Sequence, residues 1–242
     1  MNPGIYTTRV SLNLYELDAT KNPGDLETRL LELGTQAASG RYLNVLTGPP
    51  IKIRKHELIR VQLCEDGYVG FLKSGEYLKK VLKRKPYRRK RALGRAEIEK
   101  AIPEVLAFLF EAMQTPNRYL WGGTIGPNFD CSGFVQAAYA SQGIWLPRDA
   151  KEQCADQCTQ SVKDDEVQAG DLVFFSRSDA IDHVGIHLGN GFYIHSSGVE
   201  FGRDGIGIDR LSKKAVGAGA NYFPIRDDSR RVWSSLVPEL RS

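Results

Sequence analysis

The chain has 242 residues, of which 41% are hydrophobic, 26% charged and 10% aromatic. That is the composition of a folded globular protein long enough for one large or two ordinary domains, and it excludes a disordered, collagenous or coiled-coil chain. The net charge is +4, yet residues 79–95 carry ten Lys or Arg and no acid, so the basicity is local and not spread over a face as in a protein built to hold nucleic acid. This run reads as a solvated linker or, alternatively, as a docking patch for an anionic polymer or lipid. The sequence opens without a basic region followed by an apolar stretch, and its longest strongly apolar run is only residues 105–110. Neither a signal peptide nor a membrane span is expected, which points to the cytoplasm and leaves Cys64, Cys131, Cys154 and Cys158 as free thiols.

In chain order, residues 6–15, 35–47, 51–54, 57–64 and 68–72 read as short β runs. They are separated by the turn sequences Asn22-Pro23-Gly24, Gly48-Pro49-Pro50 and Glu65-Asp66-Gly67. Short strands at this spacing predict a small all-β barrel over residues 1–82, followed by the basic linker 83–95. Residues 96–114 form a helix by their apolar positions Ile98, Ile102, Val105, Leu106 and Leu109, with Pro103 expected to kink it or to mark its first turn. The rest of 96–242 is α+β. A glycine-rich loop, Trp121-Gly122-Gly123, precedes a helix from Cys131 to about Gly143, and strands follow over 171–175, 183–188 and 192–196.

The helix from Cys131 has small or apolar residues at Cys131, Phe134, Val135 and Ala138, which puts the cysteine in the first turn on the inward face. A thiol there meets unpaired backbone N–H groups and the positive end of the helix dipole, which favour thiolate. The bland reading is a small buried hydrophobe, and the choice between them rests on whether a base can reach the sulfur. The segment from His183 to Leu188 alternates, with His183, Gly185 and His187 on one face; Gly189-Asn190-Gly191 signals a hairpin, and Tyr193 and His195 share a face of the return strand. A three-residue loop pairs Leu188 with Phe192 and Ile186 with Ile194. His195 then lies opposite Gly185 and diagonal to His183, close enough for the two imidazoles to meet. This set suits nucleophilic catalysis: Cys131 attacks a carbonyl, His183 moves the proton and His195 fixes the orientation of His183. Zinc is the rival, but Cys154 and Cys158 form a CxxxC pair with no matched second pair, so no metal is expected. His187 reads as structural, His56 as a surface or turn residue, and Cys64, Cys154 and Cys158 as packing residues. No dinucleotide or ATP fingerprint is present, and no cofactor is expected.

At these residues the sequence closely resembles the NlpC family of papain-like bacterial cell-wall cysteine endopeptidases. The matching text is Tyr119-x-Trp121-Gly122-Gly123, Asp130-Cys131-Ser132-Gly133-Phe134, Leu146-Pro147-Arg148-Asp149, residues 169–175, Asp182-His183-Val184-Gly185-Ile186 and Ile194-His195-Ser196-Ser197-Gly198. The resemblance implies a papain-like catalytic domain over 96–242 behind a bacterial SH3-like domain. It further implies a subgroup that hydrolyses the γ-D-glutamyl to L-diamino-acid (diaminopimelate) bond of murein peptides bearing a free amino-terminal L-Ala, in cell-wall recycling. By the same resemblance, Asp130 and Tyr68 would bind the substrate's terminal ammonium, Tyr119 would lie by the oxyanion site, and Ser132 and Asp149 would contact the substrate backbone. Ala150 departs from the pattern, which has a second hydroxyl there. Read physically, an unpaired Asp130 carboxylate beside a thiolate is a cost that a bound cation would offset; its alternative is a helix N-cap. The competing functions are a noncatalytic wall-binding protein and an amidase or acyltransferase on the same scaffold.

Overall fold

The structure is a computed structural model that describes residues 1–17, 31–53, 55–155, 157–177 and 180–241. The chain forms two compact units, Met1–Lys90 together with Val237–Ser242, and Arg91–Leu236. The first unit contains β1 (Gly4–Thr8), β2 (Leu12–Leu17), β3 (Leu31–Ala37), β4 (Tyr42–Val45), β5 (Ile51–Ile53), β6 (His56–Leu63), β7 (Val69–Lys73), α1 (Glu76–Val81) and β8 (Leu82–Arg84). The strands pair antiparallel in the order β3-β2-β7-β6-β4-β1-β8, with β5 on β6. Leu14, Leu43, Val61, Leu63 and Leu72 fill its core. The small barrel expected here is not closed: among the described residues β3 and β8 are unpaired ends. β8 is three residues long and runs into Pro86, which has no N–H to extend a ladder. The Asn22-Pro23-Gly24 turn and Arg54 lie outside the described residues. The expected linker 83–95 begins inside β8. The last residues return to the first unit: Gln62 Nε2 donates to the Glu239 carbonyl (2.8 Å), the Arg241 N–H donates to Gln62 Oε1 (2.8 Å), and Asn44 Nδ2 donates to the Arg241 carbonyl (2.6 Å). The tail that the sequence reading placed with 96–242 is held by these buried amides.

The second unit contains α2 (Arg95–Gln114), β9 (Thr124–Ile125), β10 (Asn128–Phe129), α3 (Cys131–Ser141), α4 (Ala150–Gln153), β11 (Thr159–Ser161), β12 (Leu172–Ser176), β13 (Ile181–Gly189), β14 (Phe192–Ser197), β15 (Gly205–Arg210), α5 (Ala218–Tyr222) and β16 (Arg226–Val232). Its six-stranded sheet has the order β11-β16-β12-β13-β14-β15. One face, through Leu172, Phe174, Val184, Ile186 and Ile194, packs in a common core with Ile98, Val105 and Leu109 of α2 and Phe134, Val135 and Ala138 of α3. On the other face Val173, Phe175 and Tyr193 pack with Ala218 and Tyr222 of α5. Pro103 does not start α2, which begins eight residues earlier and runs through it. No helix among the described residues is long and apolar enough to cross a membrane.

Candidate active site

The start of α3 is built around Asp130. Its Oδ1 accepts the Gly133 N–H (2.7 Å) and its Oδ2 accepts the Gly122 N–H (2.8 Å), so one carboxylate caps the helix and pins the preceding glycine loop. Gly133 is required there, because a Cβ would stand 2.1 Å from the Gly123 carbonyl oxygen. Ser196 Oγ donates to the Phe129 carbonyl (2.7 Å), tying β14 to the residue before the cap. Asp130 is not the unpaired carboxylate the sequence suggested. The Arg148 guanidinium, 2% exposed, donates from Nη1 to Oδ1 (3.2 Å) and from Nη2 to Oδ2, and also to Ser132 Oγ (2.9 Å). The expected cost of an unpaired charge is therefore met inside the fold. Ser132, expected against the substrate, is buried and engaged in the same network, whereas Asp149 is exposed.

Cys131, the first residue of α3, is buried and receives hydrogen bonds from the backbone of Ser132 and of Val184, the residue after His183. The depressed thiol pKa expected from the helix terminus is not what the surroundings produce. Burial, then Asp130, pushes the thiol up to about 12, against the opposing pull of the two backbone donors and Arg148. Burial, then His195 and Arg177, drives His183 well below the ordinary histidine value. Burial thus disfavours the charged form of both the Cys131 thiol and the His183 imidazole. Tyr119 is half-buried near this sulfur; burial, then Cys131 and Asp130, raises its pKa, so its hydroxyl stays protonated.

The two histidines meet as the alternation required, His183 Nε2 lying 2.7 Å from His195 Nδ1. The hairpin differs in detail. Ile186 pairs with Ile194 and His187 with Tyr193, as expected, but Phe192 pairs with Gly189 and not Leu188. The loop has two residues, Asn190 (φ 54°) and Gly191 (φ 75°), as in a type I′ turn, and a bulge at Leu188 absorbs the extra residue that would have put the histidines on opposite faces. Gly185 gives room for the pair, since a Cβ there would stand 3.1 Å from that of His195. His187, read from the sequence as structural, is buried, and its Nδ1 accepts the Gly189 N–H (3.2 Å).

Three contributors escaped the sequence reading. Asp209 on β15 places Oδ2 2.8 Å from His195 Nε2, and Arg203 Nη2 donates to Asp209 Oδ1 (2.8 Å). Tyr222 on α5 stacks on His183, with ring centroids 4.2 Å apart, and its hydroxyl lies 2.8 Å from Ser197 Oγ. The alternation of Gly205, Gly207 and Asp209 with Ile206 and Ile208 would have revealed β15, but glycines at two of its positions mask the strand pattern. Tyr68 belongs to the first unit, where its hydroxyl pairs with the Glu16 carboxylate.

Comparison with known proteins bears on the two units in turn. Residues 116–218 match the NlpC/P60 family, and residues 31–76 match the bacterial dipeptidyl-peptidase Sh3 domain. Over 81 residues the chain is 43% identical to a γ-D-glutamyl-L-lysine dipeptidyl-peptidase of Bacillus subtilis, covering 32% of this chain and 27% of that protein. Over another 81-residue alignment it is 41% identical to the murein DD-endopeptidase MepS/murein LD-carboxypeptidase of Escherichia coli, covering 33% and 42%. The matched segments thus span less than half of each relative. A crystal structure of an NlpC/P60 family protein from Bacillus cereus shares the fold across 95% of this chain and 100% of that one, with a TM-score of 0.64 at 17% identity.

Proposed function

From the premise that the chain carries an NlpC/P60 domain together with a bacterial SH3 domain, we propose that it is a cysteine peptidase cleaving the γ-D-glutamyl to L-diamino-acid bond of murein peptides with a free amino-terminal L-Ala. The observation that carries the reading is Cys131 at the head of a buried helix, hydrogen-bonded to β13 beside His183, with His183 in turn 2.7 Å from His195. In this reading Cys131 Sγ attacks the carbonyl carbon as its proton passes to His183, and the Ser132 and Val184 N–H groups stabilise the sulfur's developing charge. The tetrahedral intermediate collapses as His183 returns that proton to the leaving amine. Water, deprotonated by His183, then releases the acyl group and regenerates the thiol. The protonated Tyr119 hydroxyl is available to the oxyanion. The intact histidine pair argues against a noncatalytic wall-binding protein.

The dipeptidyl-peptidase names of a relative and of the SH3 domain support attack two residues from a free amino end, as in recycling of released peptides in the cytoplasm. The test is mass spectrometry of L-Ala-γ-D-Glu-diaminopimelate and its N-acetyl derivative after incubation with the protein. Cleavage of the free peptide alone is expected, and equal rates on both would favour an enzyme acting on assembled wall. If Tyr68 contacts the amino end as the resemblance implies, Tyr68→Ala is expected to raise KM for the free peptide more than it lowers kcat. Tyr222→Leu removes the ring stacked on His183 and is expected to lower kcat/KM about fivefold, from roughly 1 kcal/mol of ring contact. Tyr222→Phe, which keeps the ring, is expected to lose less; equal losses would mean that the hydroxyl and not the stack matters.

A further inference from the structure

We propose that Asp209 is a positioning residue that, through His195, fixes which nitrogen of His183 carries its proton and stabilises His183 once it is protonated, with Arg203 holding Asp209 in place. This deepens the peptidase reading, on which it rests for its kinetic consequence but not for its structural one.

The argument follows the hydrogen bonds outward from a group whose state is fixed. An ionised carboxylate only accepts, so the 2.8 Å contact to Asp209 Oδ2 requires the proton of neutral His195 to sit on Nε2. His195 Nδ1 is then an acceptor. The 2.7 Å contact to His183 Nε2 consequently requires His183 to donate from Nε2, which leaves the lone pair on Nδ1. One carboxylate thereby selects the tautomer of two imidazoles in series and presents Nδ1 as the base. When His183 accepts a proton there, the imidazolium still donates to His195, and the nearest negative charge along the line is Asp209. The carboxylate is held ionised: burial alone would raise its pKa, but the His195 hydrogen bond and charge and the Arg203 guanidinium bring it below the ordinary range.

The backbone is shaped for this line. His195 pairs with Gly207 across β14 and β15, which puts Asp209 diagonal to His195 on the same face. A Cβ at Gly207 would stand 1.8 Å from Arg203 Nη1, so the glycine admits the guanidinium to Asp209. His195 is completely buried and Asp209 is 8% exposed, so water does not substitute for either contact. The other titratable groups around the two imidazoles are Cys131 on α3, Arg177 after β12, Tyr193 on β14 and Tyr222 on α5. Asp209 is the carboxylate joined to the imidazole pair by a hydrogen bond.

The test uses the full chain with 15N-labelled histidine, in the wild type, Asp209→Asn and Asp209→Leu. Asn keeps an acceptor for His195 Nε2–H but removes the charge, whereas Leu removes both. In the wild type, nitrogen shifts are expected to show His183 protonated at Nε2 and bare at Nδ1. Asp209→Asn is expected to keep that tautomer, to move the His183 titration and the acid limb of kcat/KM to lower pH, and to lower kcat/KM at neutral pH roughly 10- to 100-fold, as for other outer groups that orient a primary one. Asp209→Leu is expected to mix the tautomers. A wild-type His183 protonated at Nδ1 overturns the proposal. So does a near-isosteric Asp209→Asn protein, folded by its melting curve, whose titration midpoint is unmoved, because a merely structural carboxylate would lower activity evenly across pH. Were the wild type inactive on murein peptides, the nitrogen shifts would still decide the proposal while the peptidase reading failed.

Discussion

Cys131→Ala is expected to abolish the proposed cleavage of L-Ala-γ-D-Glu-diaminopimelate, with a loss of at least about 10,000-fold in kcat, the scale on which removal of a catalytic nucleophile acts. The fold survives. The substitution deletes one sulfur atom at a buried position and leaves the Asp130 cap and its Arg148 partner intact, a cost of about 1 kcal/mol and a few degrees in melting temperature. His195→Ala behaves differently, retaining a residual rate above that of Cys131→Ala, because His183 can still take the proton once its orientation is loosened. The measurement is peptide turnover beside thermal unfolding of each variant. Near wild-type turnover in Cys131→Ala would sink the thiol mechanism.

Arg148→Met carries the largest expected effect on stability. It keeps the length of the side chain but strips the charge from a buried pair, leaving the Asp130 carboxylate with two backbone donors and a hydroxyl in place of a guanidinium. Removing one partner of a buried ion pair costs about 3 to 5 kcal/mol. For a unit of this size that lowers the melting temperature by roughly 6 to 20 °C. The double variant Arg148→Met with Asp130→Asn removes both charges while keeping a side-chain oxygen to cap α3, and it is expected to recover part of the loss. A single variant melting within about 2 °C of the parent, well inside that range, would show that Asp130 does not depend on Arg148. The pair also bears on chemistry. Arg148 is among the groups that draw the Cys131 thiol down while Asp130 pushes it up, so Arg148→Met is expected to slow alkylation of Cys131 at a given pH above neutrality.

The fold and the reactive centre were legible because they rest on local periodicity. The stripe Cys131, Phe134, Val135, Ala138 faces the core in any α-helix, and the alternation from His183 on to His195 puts two imidazoles on one face once apolar residues are paired with apolar ones across the hairpin. Even the misjudged hairpin loop kept this outcome, since a two-residue turn plus a bulge preserves the same face as a three-residue loop. The environment of those groups was decided only by tertiary structure. Arg148 is 18 residues from Asp130 and Asp209 is 14 from His195, and no short-range pattern states that either pair will be desolvated together. Asp130 looked like an empty cation site because a sequence shows a charge but not its counterion, and the thiol looked acidic because a helix terminus is visible in sequence whereas burial is not. Sequence by itself determined which elements carry the thiol and the two imidazoles. Packing, by excluding water and choosing each charge's partner, decided the surroundings that shift their pKa values, because the cost of a charge depends on the solvation left around it.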